Sequence, residues 1–138
     1  MQVGPNDVLY QAKPNFRISH PSDVPMGGIH NDYKSNNHQP GEINFWIPFC
    51  SVFKENTLWV ESTPGANDFQ PMEMKYGQGL KFWGNQCRHH TVANVSDCTR
   101  VSIDFRAIAK KCFNSEFVDS RGVLLQRRVG EFYVDSGM

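Results

Sequence analysis

The stretch Thr99-Arg-Val-Ser-Ile-Asp-Phe-Arg-Ala-Ile108 alternates between polar and apolar side chains. Successive side chains of a β-strand point to opposite faces, so a period of two predicts a strand here. The apolar face carries Val101, Ile103 and Phe105. The polar face carries Arg100, Ser102, Asp104 and Arg106. On an open sheet this polar face contacts solvent, whereas in a barrel it lines a polar cavity, and the period is compatible with both.

Shorter runs with the same period flank this strand. Residues 42–49 place Ile43, Phe45, Ile47 and Phe49 on one face, and residues 56–61 form a second run. Residues 72–76 and 80–83 lie on either side of a Gly-Gln-Gly triplet, which predicts a hairpin. Residues 122–125 and 131–134 are predicted to add edge structure. Because long helical periodicity is lacking, the fold class is predicted as mainly all-β with little helix.

Composition limits the classes of function. The 138 residues suit one domain, predicted to span 1–138, and 39% of them are hydrophobic. Lys+Arg and Asp+Glu are equal at 14 each, so no net field attracts a nucleic acid. No apolar run is long enough to span a membrane. The four cysteines form no C-x-x-C pair and no signal peptide is evident, which predicts reduced thiols in a cytoplasmic protein.

The triplet His30-Asn-Asp32 is a candidate metal-binding motif. In an extended chain, residues i and i+2 project to the same side and can bind one metal ion together. A third ligand must come from elsewhere, and His89 is the candidate. Two histidines and one carboxylate on one face of an octahedron are typical of non-haem iron oxygenases. Each of these residues taken alone is also typical of a polar surface loop.

Arg100 and Ser102 are candidates for binding an acidic cosubstrate. A guanidinium pairs with a carboxylate through two parallel hydrogen bonds and does not lose its charge. Ser102 lies on the same predicted strand face and can donate a further hydrogen bond. The alternative for Arg100 is a surface salt bridge.

These residues, in this order and spacing, resemble the Fe(II)/2-oxoglutarate-dependent dioxygenase superfamily. The resemblance extends from about residue 10 to residue 108 and includes 40–48, 56–62 and 99–106. It is strongest to the phytanoyl-CoA dioxygenase-like branch that includes streptomycin-biosynthesis proteins.

The resemblance implies a double-stranded β-helix, a jelly-roll or cupin-like barrel. It implies iron(II) bound by His30, Asp32 and His89, with 2-oxoglutarate as cosubstrate and O2 as oxidant. Arg100 and Ser102 would bind the distal carboxylate of 2-oxoglutarate. Asn44 and Thr57 are further candidates for contact with the cosubstrate. The expected activity is oxidation, in particular hydroxylation, of a small molecule.

Two alternatives stay open. The chain could be a non-catalytic jelly-roll that binds a metal or ligand. It could also be a cupin-like isomerase or a structural shell protein, although neither of these needs Arg100 and Ser102. Members of the family generally carry helices before the metal motif that cover one face of the barrel. Since the motif here begins at residue 30, the expectation is either a truncated or minimal form of the family or a second subunit, as in a homodimer, that covers this face.

Overall fold

The computed structural model describes residues 4–35, 38–119, 121–124 and 127–137. The strands are β1 (Val8–Gln11), β2 (Asn15–Ser19), β3 (Ile43–Pro48), β4 (Leu58–Val60), β5 (Gln70–Pro71), β6 (Leu80–Phe82), β7 (His89–Thr91), β8 (Arg100–Ala109) and β9 (Tyr133–Asp135). Helical structure in the described ranges is limited to α1 (Asp32–Ser35) and a 3-10 turn, η1 (Lys110–Cys112). The prediction of a mainly β fold with little helix is confirmed.

Two antiparallel sheets make up the barrel. The larger has the order β6-β3-β8-β1-β9, and β2 pairs with β8 alongside β1. The smaller has the order β5-β4-β7. The long strand β8 is the centre of the larger sheet because it pairs with β3 on one edge and with β1 and β2 on the other. The strand predicted over residues 99–108 is therefore the element that organises the fold.

The polar face of β8 points into the barrel. Its even-numbered residues are buried and its odd-numbered, apolar residues are half-buried. The same alternation holds on β3, where Asn44 and Trp46 are buried and Phe45 is half-buried. The period of two was compatible with a polar face in solvent or a polar face that lines a cavity. Because the polar residues of β8 are buried, they line a cavity.

The outer face of the larger sheet is apolar. Phe45 stacks on Phe105 across the β3–β8 pair, with ring centroids 5.2 Å apart. On β2, Phe16 is 62% exposed and Ile18 is 44% exposed. Apolar side chains therefore continue to the edge of this face without being covered by the described residues.

The predicted hairpin over residues 72–83 is wrong. The turn itself forms, with Gly77 at φ +89° and the amide of Gln78 donating to the carbonyl of Lys75. Its two arms then diverge, because Met74 forms a β-bridge with Val52 while β6 pairs with β3. The predicted turn is therefore present, but the strands on either side of it pair with distant parts of the chain.

The C-terminal segment adds edge structure in part, as predicted. β9 pairs with β1 at the margin of the larger sheet. In the other predicted run, Leu124 forms a β-bridge with Val118, while residue 125 lies outside the described ranges. Within those ranges, no helix is both long and apolar enough to cross a bilayer.

Candidate metal centre and cosubstrate site

The two candidate histidine ligands face each other across a β-bridge. His30 and His89 exchange both backbone hydrogen bonds, with N···O distances of 3.2 and 2.8 Å. Residues opposed in this way project their side chains to the same side of the ladder. The rings lie 4.5 Å apart between centroids. Backbone pairing therefore brings together two residues separated by almost sixty positions.

Asp32 completes the cluster from the first turn of α1. Its backbone amide donates to the carbonyl of Gly84, which anchors this turn beside the strands. Oδ1 of Asp32 lies 3.8 Å from Nε2 of His30 and 3.8 Å from Nε2 of His89. The ligand atoms of the three residues all lie within 4.8 Å of one another. The predicted triad is thus assembled in space.

Both histidines present the nitrogen that a metal requires. Nδ1 of His30 is 2.7 Å from the carbonyl of Gly28, and Nδ1 of His89 is 3.1 Å from the carbonyl of Cys87. A carbonyl only accepts, so in the neutral ring each Nδ1 carries the proton and the lone pair is on Nε2, the nitrogen that lies 3.8 Å from Oδ1 of Asp32. A second hydrogen bond of this kind is typical of histidine ligands because it orients the ring.

The charge states also suit a metal. Burial alone would raise the pKa of Asp32, but the positive charge of Arg106, the neighbouring His89 and a hydrogen bond from Asn44 hold it well below its usual range. Burial lowers the pKa of His89, although Asp32 opposes this shift. An ionised carboxylate beside a neutral imidazole is the combination from which metal ligands are made.

The donor set fits an iron(II) ion. A first-row metal lies about 2.1 Å from its nitrogen and oxygen ligands, so neighbouring ligands on one octahedral face are about 3 Å apart. Each histidine nitrogen is 3.8 Å from Oδ1 of Asp32, within about 1 Å of that spacing. Two imidazoles and one carboxylate are the ligands of the non-haem iron(II) oxygenases.

Arg100 lies in the same cavity as the triad. It is 2% exposed, and its guanidinium stands over the ring of Trp46 at 5.5 Å. Nη1 donates to the carbonyl of Asn56 at 2.9 Å, and Nη2 has the weak acceptor Sδ of Met26 at 3.6 Å. Burial lowers the pKa of Arg100. None of the described residues gives this buried charge a carboxylate partner.

Three buried donors on Arg100 and on two residues linked to it lack partners among the described residues. They are Nε of Arg100, Oγ of Ser102, which is two positions along the same strand face, and Nδ2 of Asn56, whose carbonyl accepts from Arg100. A buried donor without an acceptor is costly, and native proteins seldom leave several together. Unused donors and an uncompensated positive charge at one place indicate a site for an anion.

Of the two further candidates for cosubstrate contact, Asn44 lines the cavity and Thr57 is not among the lining residues. Asn44 is on the cavity wall and its Nδ2 donates to Oδ2 of Asp32 at 2.8 Å. The hydroxyl of Thr57 donates to the carbonyl of Met72 at 2.5 Å. Contact of either residue with a cosubstrate remains a prediction.

Sequence reasoning missed a charged network behind the triad. Nη2 of Arg106 donates to Oδ2 of Asp32 at 2.8 Å, and Nη1 donates to Oδ1 of Asp104 at 3.0 Å. The signal was present, because both residues share the polar face of β8 with Arg100. His38 is 3% exposed and paired with the buried Glu42. His20 is exposed.

Known proteins are similar to this chain in sequence or in fold. No family model matches it. It is 31% identical over 128 residues to the streptomycin biosynthesis protein StrG of Streptomyces griseus. The aligned stretch covers 92% of the chain and 60% of StrG. Among solved structures, the non-heme monooxygenase ThoJ, as its nickel complex, matches 88% of the chain with a TM-score of 0.61 and 14% identity. The fold is that of the non-haem α-ketoglutarate-dependent oxygenases.

Two further solved structures share this fold. CytC3 with Fe(II) and α-ketoglutarate matches 97% of the chain, with a TM-score of 0.58 and 19% identity. The α-ketoglutarate-dependent epimerase SnoN from nogalamycin biosynthesis matches 76%, with a TM-score of 0.59 and 16% identity. The chain spans 56% of ThoJ, 57% of CytC3 and 48% of SnoN. The predicted jelly-roll architecture and the resemblance to this family are therefore confirmed.

Proposed function

We propose that this protein is an Fe(II)/2-oxoglutarate-dependent oxygenase that oxidises a small molecule. One observation carries the proposal: the His30, Asp32 and His89 cluster shares a cavity with Arg100, a buried guanidinium without a carboxylate partner among the described residues. A set of metal-binding side chains alone would fit many functions. The same set together with a site for a second carboxylate fits a dicarboxylate cosubstrate.

Each residue has a distinct task in this proposal. His30, Asp32 and His89 hold iron(II) from one side and leave the opposite side to other ligands. Arg100 binds the distal carboxylate of 2-oxoglutarate, with Ser102 as a second donor, and thereby orients its keto-acid end toward the metal. When bound, the iron would activate O2, which is the oxidant for attack on a C–H bond, while the protein supplies the orientation of the reactants.

The substrate is proposed to be a small molecule, with hydroxylation as the outcome. Trp46, Leu58 and Phe82 provide apolar wall beside the polar groups of the cavity. Apolar walls with a few fixed polar groups are typical of sites for small ligands. The formal net charge of zero gives no support to a nucleic-acid substrate.

We further propose that residues 1–138 act as one jelly-roll domain in the cytoplasm. The free thiols of Cys50, Cys87, Cys98 and Cys112 suit a reducing compartment, in which iron(II) also persists.

Self-association is also part of this proposal. The exposed Phe16 and Ile18 belong to an apolar outer sheet face, and apolar faces of this kind favour contact with a partner. A chain with no formal net charge does not repel a second copy. Sedimentation velocity of the wild type and of Phe16→Lys tests this: a dimer that becomes monomeric in the variant supports it, and a wild-type monomer at all concentrations contradicts it.

The function is tested by anaerobic titration with Fe(II) and 2-oxoglutarate. Chelation of the metal by the cosubstrate produces a weak visible charge-transfer band, which requires both to occupy the same site. We expect the band in the wild type and its loss in Asp32→Ala, with Asp97→Ala as the control for removal of an exposed carboxylate. If saturating ligands give no band in the folded wild type, the proposal is wrong.

Turnover separates an enzyme from a binding module. Under air, an oxygenase converts 2-oxoglutarate to succinate in a reaction that depends on iron and that a true substrate accelerates. A charge-transfer band without succinate formation across a broad substrate panel would support the non-catalytic alternative.

A further inference from the structure

We propose that Arg106 is a positioning residue: with Asn44 it holds Oδ2 of Asp32, so that the carboxylate binds the metal through Oδ1 alone. This inference rests on the proposed metal centre and concerns how many positions around the ion the protein leaves open.

The two oxygens of Asp32 have different surroundings. Oδ2 accepts from Nη2 of Arg106 at 2.8 Å, from Nε of Arg106 at 3.3 Å and from Nδ2 of Asn44 at 2.8 Å. Oδ1 faces Nε2 of His30 and of His89, at 3.8 Å from each. Asp32 is 1% exposed. The carboxylate is therefore oriented with one oxygen toward the protein and the other toward the metal ligands.

Arg106 is itself held in place from its other side. Its Nη1 donates to Oδ1 of Asp104, which also accepts from Asn15 at 2.7 Å. Oδ2 of Asp104 accepts from Nε of Arg17 at 2.6 Å. Charges thus alternate from Asp32 through Arg106 and Asp104 to Arg17 on β2. A planar guanidinium fixed between two carboxylates has little freedom to rotate away from Oδ2.

The orientation of the Asp32 carboxylate decides how many coordination positions are left for other ligands. A carboxylate that binds with both oxygens takes two of the six octahedral positions, and with two histidines it leaves two. A carboxylate that binds with one oxygen leaves three. A cosubstrate that chelates through two atoms uses two positions, so a third is open only if Oδ2 stays away from the metal. The hydrogen bonds of Arg106 and Asn44 oppose its approach.

A purely structural role for Arg106 is the alternative, since it neutralises two buried carboxylates. The two roles differ in what happens to the metal. A structural residue affects the stability of the fold, whereas a residue that positions Asp32 also changes metal affinity and the coordination number in a folded variant.

The test uses Co(II) alone as the probe, because its d–d absorption reports coordination number. Wild type, Arg106→Met and Arg106→Lys are titrated and their thermal unfolding is recorded. Arg88→Met is the matched control, since Arg88 also donates to a buried carboxylate, that of Glu61, outside the metal site. We expect Arg106→Met to bind Co(II) about 10- to 100-fold more weakly with an altered d–d spectrum. Arg106→Lys, which keeps the charge but has one nitrogen, should fall between it and the wild type.

The outcomes are distinguishable. Folded Arg106 variants with the affinity and the d–d spectrum of the wild type would overturn this inference and leave the metal centre intact. A wild type that binds no Co(II) would overturn the metal centre and the inference with it. If Arg106→Met does not fold, Arg106→Lys decides: weaker binding with a changed spectrum supports the positioning role, and wild-type behaviour contradicts it.

Discussion

A methyl group on Gly84 would lie 2.7 Å from both Cγ and Nδ2 of Asn44. The carbonyl of Gly84 also accepts a hydrogen bond from the amide of Asp32 at 3.0 Å. A side chain at position 84 would therefore collide with the amide that holds Oδ2 of Asp32. The absence of a Cβ at this buried position is a requirement of the site.

We expect Gly84→Ala to disturb the metal centre. The methyl group would also lie 2.7 Å from Cε2 of Phe82. These contacts force Asn44 and Phe82 to shift, at a cost of about 1–3 kcal/mol in the free energy of unfolding. Loss of the hydrogen bond from Asn44 to Asp32 should weaken Co(II) binding about tenfold or more. Calorimetric titration and thermal unfolding measure the two effects. Gly79→Ala is the control, because its Cβ would meet Cγ1 of Ile47 at 3.3 Å, outside the metal site. Equal effects in both variants would contradict the explanation.

His89 and His90 provide a direct test of the ligand assignment. The ring of His90 packs against those of Trp59 and Phe69, with centroids 6.2 and 4.9 Å away. We expect His89→Ala to lower Co(II) affinity at least about 100-fold, since a metal held by two ligands is bound loosely. His90→Ala should retain the affinity of the wild type. The reverse order would move the metal site to the other histidine.

Replacement of Arg100 should separate cosubstrate binding from stability. Arg100→Met removes the proposed partner of the distal carboxylate, so affinity for 2-oxoglutarate should fall about 30-fold or more while Co(II) affinity is retained. Without cosubstrate, the variant should unfold at the same or a higher temperature, because an uncompensated buried charge has been removed. Arg121→Met, at a half-exposed arginine, is the control. Unchanged cosubstrate affinity would remove Arg100 from the site.

Glu61 is expected to make the free energy of unfolding depend on pH in the acid range. Burial opposes its charge, yet hydrogen bonds from the side chain and amide of Arg88 and from the amides of Gly65 and Asn67 lower its pKa from 4.5 to about 2. A lowered pKa stabilises the folded state above pH 4.5, and this contribution is lost as the pH falls toward about 2.

We therefore expect Glu61→Gln to be less stable than the wild type by about 2 kcal/mol at neutral pH. The difference between the two proteins should shrink as the pH falls from 4.5 to about 2. Urea unfolding across this range measures it, with Glu131→Gln at an exposed position as the control. A difference that does not depend on pH would show that the charge of Glu61 contributes nothing.

The sequence alone determined the β architecture and predicted the candidate ligands. A period of two over residues 99–108 is a local property of a strand, and it needs no knowledge of pairing. The triad and Arg100 are candidates because their residue types and order carry chemistry that few other arrangements use. The same local reasoning located the turn at Gly77.

Pairing and orientation were decided only by the tertiary structure. Which face of β8 lines the cavity depends on the smaller sheet that closes over it, and the arms of the predicted hairpin separate because each has a distant partner. The contact of Arg106 with Asp32 joins residues 74 positions apart. Such contacts depend on how the sheets close around one another, and the period of a single strand carries no information about that closure.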